Sequence, residues 1–134
     1  MISKTTTFNI KGDSRGSLIA LESNKDIPFE IKRVYYIFDT EEGVVRGHHA
    51  HKNLQQFLIC VSGSCTIVLD NGKERSEVLL DKPDMGLYVG PDMWHEMKDF
   101  STDAVLFVLA SDWYDERDYI RNYAEFLAYF KEKR

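Results

Sequence analysis

Three histidines, His48, His49 and His51, crowd the stretch "RGHHAHKNLQQFLICVSG" at residues 46–63. Imidazoles at such density can be packing residues, can hold a divalent ion, or can carry protons near neutral pH. In extended backbone side chains alternate, so His49 and His51 share one face while His48 and Ala50 take the other. Two imidazoles converging on an interior are costly to keep without partners, which weighs against a purely structural role. Other residues join them as candidates. Arg15 follows the turn-like "KGDS" and suits a diphosphate at a cavity mouth as well as plain solvent exposure. Arg46 is a cation beside the histidines, or one half of a surface ion pair. Tyr35 could donate to a developing oxyanion, although strand tyrosines usually pack. Arg33, Tyr35 and Ile37 share one face of their strand; Val34, Tyr36 and Phe38 share the other, which is more uniformly apolar and predicts Tyr36 as the core residue. Trp94 reads as core or as a base-stacking residue, and His95 as a further imidazole near the cavity.

The elements that would position these groups are short strands. The chain has 134 residues, 43% hydrophobic and 29% charged, enough for one domain spanning 1–134 with one core. No apolar run approaches the roughly 20 residues of a bilayer span, and "MISKTTTFNI" lacks the centre of a signal peptide, which predicts a cytoplasmic protein without membrane association. Cys60 and Cys65 flank "VSGS" and read as reduced residues rather than a disulfide. A net charge of -5 argues against a nucleic-acid surface, so an anionic ligand would need local arginines. "TTTFNI", "SLIALE", "KRVYYIF", "QQFLICVS", "CTIVLD", "SEVLL", "GLYVG" and "AVLFVLA" carry β-branched and aromatic residues at strand density. Asn71-Gly72 predicts a type I′ hairpin, and Gly63 a second hairpin. From Asp115 onward Tyr119, Ile120, Tyr123, Phe126, Leu127 and Phe130 recur at helical spacing. This predicts an all-β antiparallel jelly-roll barrel over about 1–112 and one C-terminal amphipathic helix over about 115–132, its basic end at Lys131–Arg134 suiting the helix dipole.

The spacing Gly43, five residues, His49, one residue, His51, four residues, Gln56, six residues, Gly63 resembles the first motif of the cupins. Where a metal-binding cupin offers a glutamate, Gln56 supplies only a dipole. In "GPDMWHEM" His95 stands four residues after Pro91 instead of five, and Met93 fills a glycine position. Both departures predict no metal and leave His95 an uncertain third ligand.

"RGHHAHK" with "QQFLICVSGSCTIVLDNG", "GDSRGSLIALE", "KRVYYIF", "WHEM" and "DERDYIRNYAEFL" resembles, nearly end to end, the dTDP-sugar 3,4-ketoisomerases of bacterial surface-polysaccharide synthesis. The resemblance implies a metal-free cupin without a cofactor, a homodimer with exchanged N-terminal strands, and a dTDP-linked 4-keto-6-deoxy sugar, dTDP-4-keto-6-deoxy-D-glucose, as substrate. It puts the family's active-site histidines on His49 and His51 and its tyrosine on Tyr35. Arg15, Arg46, Gln56, Trp94 and His95 are the expected substrate-binding residues. Arg15 and His95 are similar to the pocket residues of the branch whose 3-keto product has the galacto configuration. The chemistry suits the residues. A 4-ketone acidifies the C3 hydrogen, a base removes it, and reprotonation of the enediol at C4 moves the ketone to C3. The alternatives are a dTDP-4-keto-6-deoxyglucose 3,5-epimerase, a non-catalytic sugar-nucleotide binding module that would not need His49 and His51, and a metal-dependent cupin oxygenase.

Overall fold

The computed structural model describes residues 2–133; Met1 and Arg134, the latter the last residue of the basic terminus, lie outside the described residues. The strands are β1 (Lys4–Thr7), β2 (Lys11–Asp13), β3 (Gly16–Leu18), β4 (Arg33–Ile37), β5 (Arg46–His51), β6 (Gln56–Ser62), β7 (Cys65–Asp70), β8 (Arg75–Leu80), β9 (Met85–Val89), β10 (Trp94–Lys98) and β11 (Val105–Ala110). A 3-10 turn (Glu116–Asp118), the two-residue β12 (Tyr119–Ile120) and helix α1 (Tyr123–Lys133) complete the chain. The strands form two antiparallel five-stranded sheets, ordered β1-β9-β6-β11-β4 and β12-β5-β10-β7-β8, with β2 and β3 as a separate ribbon. This is the expected all-β jelly-roll barrel. No helix among the described residues is long and apolar enough to cross a membrane.

The core lies between the sheets, where Leu58, Cys60, Leu87, Leu106 and Val108 of one meet Cys65, Ile67, Leu69, Leu80 and Met97 of the other. Burying each of these aliphatic side chains contributes about 1.5–3 kcal/mol. The outer face of the first sheet is covered too: Phe57, Ile59 and Leu109 pack on Phe8, Ile27 and Phe29. With both faces covered, β6 reads as one unbroken apolar run instead of an alternation. Helix α1 lies on the outer face of the second sheet, its Phe126 and Phe130 against Ala50 of β5, Trp94 of β10 and Ile120.

Four local expectations are corrected. The residues after Asp115 do not continue as helix, because Asp115 caps only a 3-10 turn and β12 then pairs with β5. The helix starts after Asn122, whose side chain accepts from the Glu125 N–H and whose carbonyl accepts from that of Phe126. Gly63 turns a corner between the sheets rather than a hairpin, since β6 and β7 belong to different sheets. Its φ of +65°, and the crowding of any Cβ against Ser101, require glycine there. The β7–β8 hairpin exists, but its loop is four residues long. Only Gly72 adopts positive φ; the Asn71 side chain accepts from the N–H groups of Lys73 and Glu74, an Asx turn in place of type I′. Tyr36 is 58% exposed and Tyr35 faces inward, the reverse of the polarity expected for β4. Cys60 and Cys65 are both buried, unbridged thiols beside that Gly63 corner.

Candidate active site

β5 and β10 lie side by side in the second sheet, and a bulge between them aims the histidines. His95 pairs with His49, but the next residue, Glu96, pairs with Gly47, which leaves His48 as the extra residue. Gly47 and His48 take φ of +90° and +54° to make that step. A Cβ on Gly47 would meet the His95 carbonyl at 3.0 Å, so the close approach of β10 also requires glycine. The extra residue turns His48 outward to within 3.7 Å of the Glu96 carboxylate. His49 and His51 turn inward on the shared face read from the sequence, with ring centroids 5.0 Å apart.

His95 completes the group. Its ring centroid lies 4.5 Å from that of His49 and 5.9 Å from that of His51, so its irregular spacing after Pro91 does not keep it from the interior. A nitrogen from each of the three rings lies within 4.8 Å of the others. Each Nδ1 faces an oxygen: Gly47 O at 2.9 Å for His49, Asp118 Oδ2 at 3.2 Å for His51 and Met93 O at 3.5 Å for His95. These oxygens only accept, which puts the hydrogen on Nδ1 and leaves each Nε2 an unprotonated lone pair. All three Nε2 atoms are buried and unpartnered. Burial pushes the His49 pKa down to about 4 and the His51 pKa down to about 3, the latter with help from the neighbouring charges of His49, Arg33 and Arg121. His95, fully enclosed, is lowered by the same cause. All three rings are therefore neutral at pH 7 and ready to accept protons. As a donor set for a divalent ion the cluster is neutral throughout, since the position where a carboxylate would add charge is Gln56.

Tyr35 approaches from β4 in the opposite sheet. Its oxygen accepts a hydrogen bond from Gln56 Nε2 at 2.8 Å, which leaves its own hydroxyl hydrogen free to donate. Burial raises its pKa to about 12, so it stays protonated. A cavity of about 250 Å³ is lined by Tyr35, His49, Arg46 and Met97, with Arg33, Tyr119 and Arg121 at its rim. Arg121 stacks on Tyr119 at 4.3 Å and Arg33 on Tyr35 at 5.4 Å. Arg33 and Arg46 give this end of an acidic chain a local positive potential suited to an anionic ligand, while Arg121 is held by the Glu116 carboxylate at 2.7 and 2.9 Å.

Of the residues singled out in the sequence, His49, His51, His95, Tyr35, Gln56 and Arg46 come together here. Two do not. Trp94 is buried under α1, its ring against Tyr123 and Phe126 and its Nε1 donating to Glu96, so it is core and not a stacking platform. Arg15 sits 88% exposed beside the tip of the β2–β3 ribbon, ion-paired with Asp13 and away from the histidines of its own chain. Arg33, Tyr119, Arg121 and Asp118 were missed. The last three lie in "DERDYIR", where the helical reading gave Tyr119 to the apolar face of a helix and Arg121 to its polar face; the density of charge just ahead of the helix was the available signal.

The FdtA family model, described as WxcM-like, C-terminal, matches residues 1–131. A TDP-4-oxo-6-deoxy-α-D-glucose-3,4-oxoisomerase of Aneurinibacillus thermoaerophilus is 59% identical over 129 residues, covering 96% of this chain and 93% of that protein. The solved TDP-quinovose 3,4-ketoisomerase of Campylobacter jejuni is 59% identical with a TM-score of 0.91, over 95% of this chain and 98% of that one. A mutant 3,4-ketoisomerase of Thermoanaerobacterium thermosaccharolyticum, solved with TDP-4-keto-6-deoxyglucose, is 44% identical with a TM-score of 0.95, over 98% of this chain and 95% of that one.

Proposed function

From the premise that this chain belongs to the FdtA family and is a sugar 3,4-ketoisomerase, we propose that it converts dTDP-4-keto-6-deoxy-D-glucose to dTDP-3-keto-6-deoxy-D-galactose at the histidine cluster. The observation that carries this reading is the cluster of three inward imidazoles with unpartnered Nε2 lone pairs, of which His49 lines the same cavity as Tyr35 with its free hydroxyl hydrogen. One imidazole of the His49–His51 pair takes the C3 proton as the C3=C4 bond forms. Tyr35, protonated because it is buried, donates to O4 as charge develops there. The O3–H proton is then lost to the second imidazole as the ketone forms at C3 and the first imidazole returns its proton to C4; O4 keeps the proton given by Tyr35, which regains one from the second imidazole. The sugar ends as an isomer, so no electrons are gained or lost and no redox cofactor enters the balance. A cavity of about 250 Å³ suits the hexose, with the diphosphate outside it against Arg33, Arg46 and Arg121.

The geometry of the pair supports the galacto configuration. In the substrate chair the C3 hydrogen points to the lower face, and the new C4 hydrogen of a galacto product lies on that same face. His49 and His51 stand on one strand face with His95 beside them, an approach from one side. Incubation with dTDP-4-keto-6-deoxyglucose and NMR of the product tests both parts. A 3-ketone with an equatorial C4 hydrogen supports the reading; a gluco product overturns the stereochemistry, and a 3,5-epimer or unchanged sugar overturns the reaction.

The proposed assembly is a homodimer. Val34, Tyr36 and Phe38 are 47%, 58% and 56% exposed along β4, and Tyr36 stacks on Phe107. Contiguous exposed apolar surface of this kind marks an interface. The single chain pairs β1 with its own β9, and the β2–β3 ribbon projects with every residue exposed. Exchange of this N-terminal segment between protomers would give the ribbon, and Arg15 with it, a partner to dock on. Sedimentation at a dimer mass supports this, and a concentration-independent monomer contradicts it.

A further inference from the structure

Among the three inward histidines, His51 alone has its Nδ1 against a carboxylate; those of His49 and His95 face neutral backbone carbonyls. That carboxylate, Asp118, is itself held on several sides. Its Oδ1 accepts from the Asn53 N–H at 2.8 Å and its Oδ2 from the Leu54 N–H at 3.3 Å, while its backbone carbonyl accepts from Lys52 N at 2.9 Å. The next residue, Tyr119, pairs with His51 across the β12–β5 ladder and packs its ring on the imidazole, centroids 4.4 Å apart. Ring, carboxylate and the 52–54 backbone thus form one rigid unit behind His51.

We propose that Asp118 is a positioning residue for the isomerisation: it fixes His51 in the tautomer that turns the Nε2 lone pair to the sugar, and it balances the charge of the ring while His51 carries a proton. The argument runs through hydrogen-bond chemistry. A carboxylate can only accept, so the hydrogen between the two groups belongs to Nδ1. An imidazole held that way has a defined lone pair at Nε2, and here that atom is buried with no other partner. When His51 takes a proton on Nε2 it becomes a cation in a largely dry site, next to the positive rim of Arg33 and Arg121. Asp118 supplies the compensating negative charge on the far side of the ring, where it does not compete for the substrate. His49 has a carbonyl on its Nδ1 and feels the Glu116 carboxylate only through space, so of the pair His51 is the one with a counter-charge bonded to its ring and equipped to hold a proton for part of the cycle.

This inference rests on the ketoisomerase reading, and the experiment separates the two. Replacing Asp118→Asn keeps size and keeps an oxygen for the Asn53 N–H, but turns an amide N–H₂ toward His51 Nδ1. An amide donor there demands the opposite tautomer, with the hydrogen on Nε2. In histidine-¹⁵N-labelled protein, with the His51 signals identified by their loss in His51→Asn, the wild-type ring carries its hydrogen on Nδ1 and the Asp118→Asn ring carries it on Nε2. Turnover of that variant falls by about 10²–10⁴-fold with KM changed less than about threefold. A role confined to anchoring residues 52–54 would move KM or thermal stability and leave the tautomer in place. Three results overturn the proposal: a wild-type His51 protonated on Nε2, an Asp118→Asn variant within about threefold of wild-type kcat, or a loss expressed in KM alone. The wild-type spectrum decides the tautomer even if the variant fails to fold. A wild-type chain that shows the expected tautomer yet does not isomerise the substrate would overturn the functional reading instead.

Discussion

The two ends of this barrel are built by the same strands and have opposite chemistry. Along β6, Gln56, Leu58 and Cys60 all face the interior; β10 contributes His95 and then Met97, and β4 Tyr35 and then Ile37, with Met97 and Ile37 touching both the cavity and the core. At one end these residues make a dry aliphatic core, and at the other they make a polar pocket whose buried acceptors, three imidazole Nε2 atoms and Gln56 Oε1, have no partner in the protein. The core end follows the rule that buried groups are apolar or satisfied. The pocket end breaks it, at about 1–3 kcal/mol for each unpaired group, and the core end must offset that cost. The unpaired atoms mark the places a substrate completes.

Substitutions at the two ends should have opposite effects. His49→Asn and His51→Asn should each lower kcat by about 10²–10⁴-fold, the loss expected when a proton carrier is removed, with a melting temperature equal to or above that of the wild type. If either variant keeps a near-native rate, its histidine belongs with the packing. Leu106→Ala, at the dry end, should do the reverse: a stability loss of about 2–5 kcal/mol by denaturant titration, with kcat of the folded enzyme unchanged. Gln56→Leu sharpens the boundary. It removes an unpaired buried oxygen but also the partner of the Tyr35 hydroxyl, so the two effects should offset to within about 1 kcal/mol while turnover falls, and a stability loss above about 2 kcal/mol would mean that Gln56 Oε1 is satisfied.

A gentler probe is pH. Because burial holds His49 at about 4 and His51 at about 3, against 6.5 in the unfolded chain, the unfolded state takes up protons first as pH falls. Stability is therefore full above about pH 6.5 and declines toward pH 4, by up to about 1.4 kcal/mol per pH unit for each ring. Activity behaves differently. The rings stay neutral in the native state, so kcat/KM should hold down to about pH 5 while the melting temperature already drops. An acid limb near pH 6.5 in kcat/KM would show that the histidines are not desolvated as described.

The sequence displayed the two ends unequally. Most dry strands were legible because their apolar density matches strand propensity, and β7 and β11 fall almost where the runs of β-branched residues lie. The polar strands β5 and β10 were recognised only through their histidines, since glycine, arginine and glutamate dilute the alternation. The bulge that admits His95 depends on the register between two strands distant in sequence, which no local pattern carries. Tyr36 misled for a physical reason as well: β4 turns its more apolar face outward, toward the surface we assign to a second protomer. Asp118 and Arg121 were hidden by the helical spacing of their neighbours and Tyr119 by its own place in that spacing, whereas the Asn122 side chain sets the true start of α1.

Proton transfer between C3 and C4 by the histidine pair, without a metal, is the centre of this account. Its most direct test is a single turnover of dTDP-4-keto-6-deoxyglucose deuterated at C3, run in ordinary water with a chelator present and followed by NMR of the product. The account predicts undiminished conversion to a 3-keto galacto sugar with part of the deuterium retained at C4, returned by an enclosed imidazole before exchange with solvent. A gluco product, or conversion that stops with the chelator and resumes with a particular ion, would contradict it.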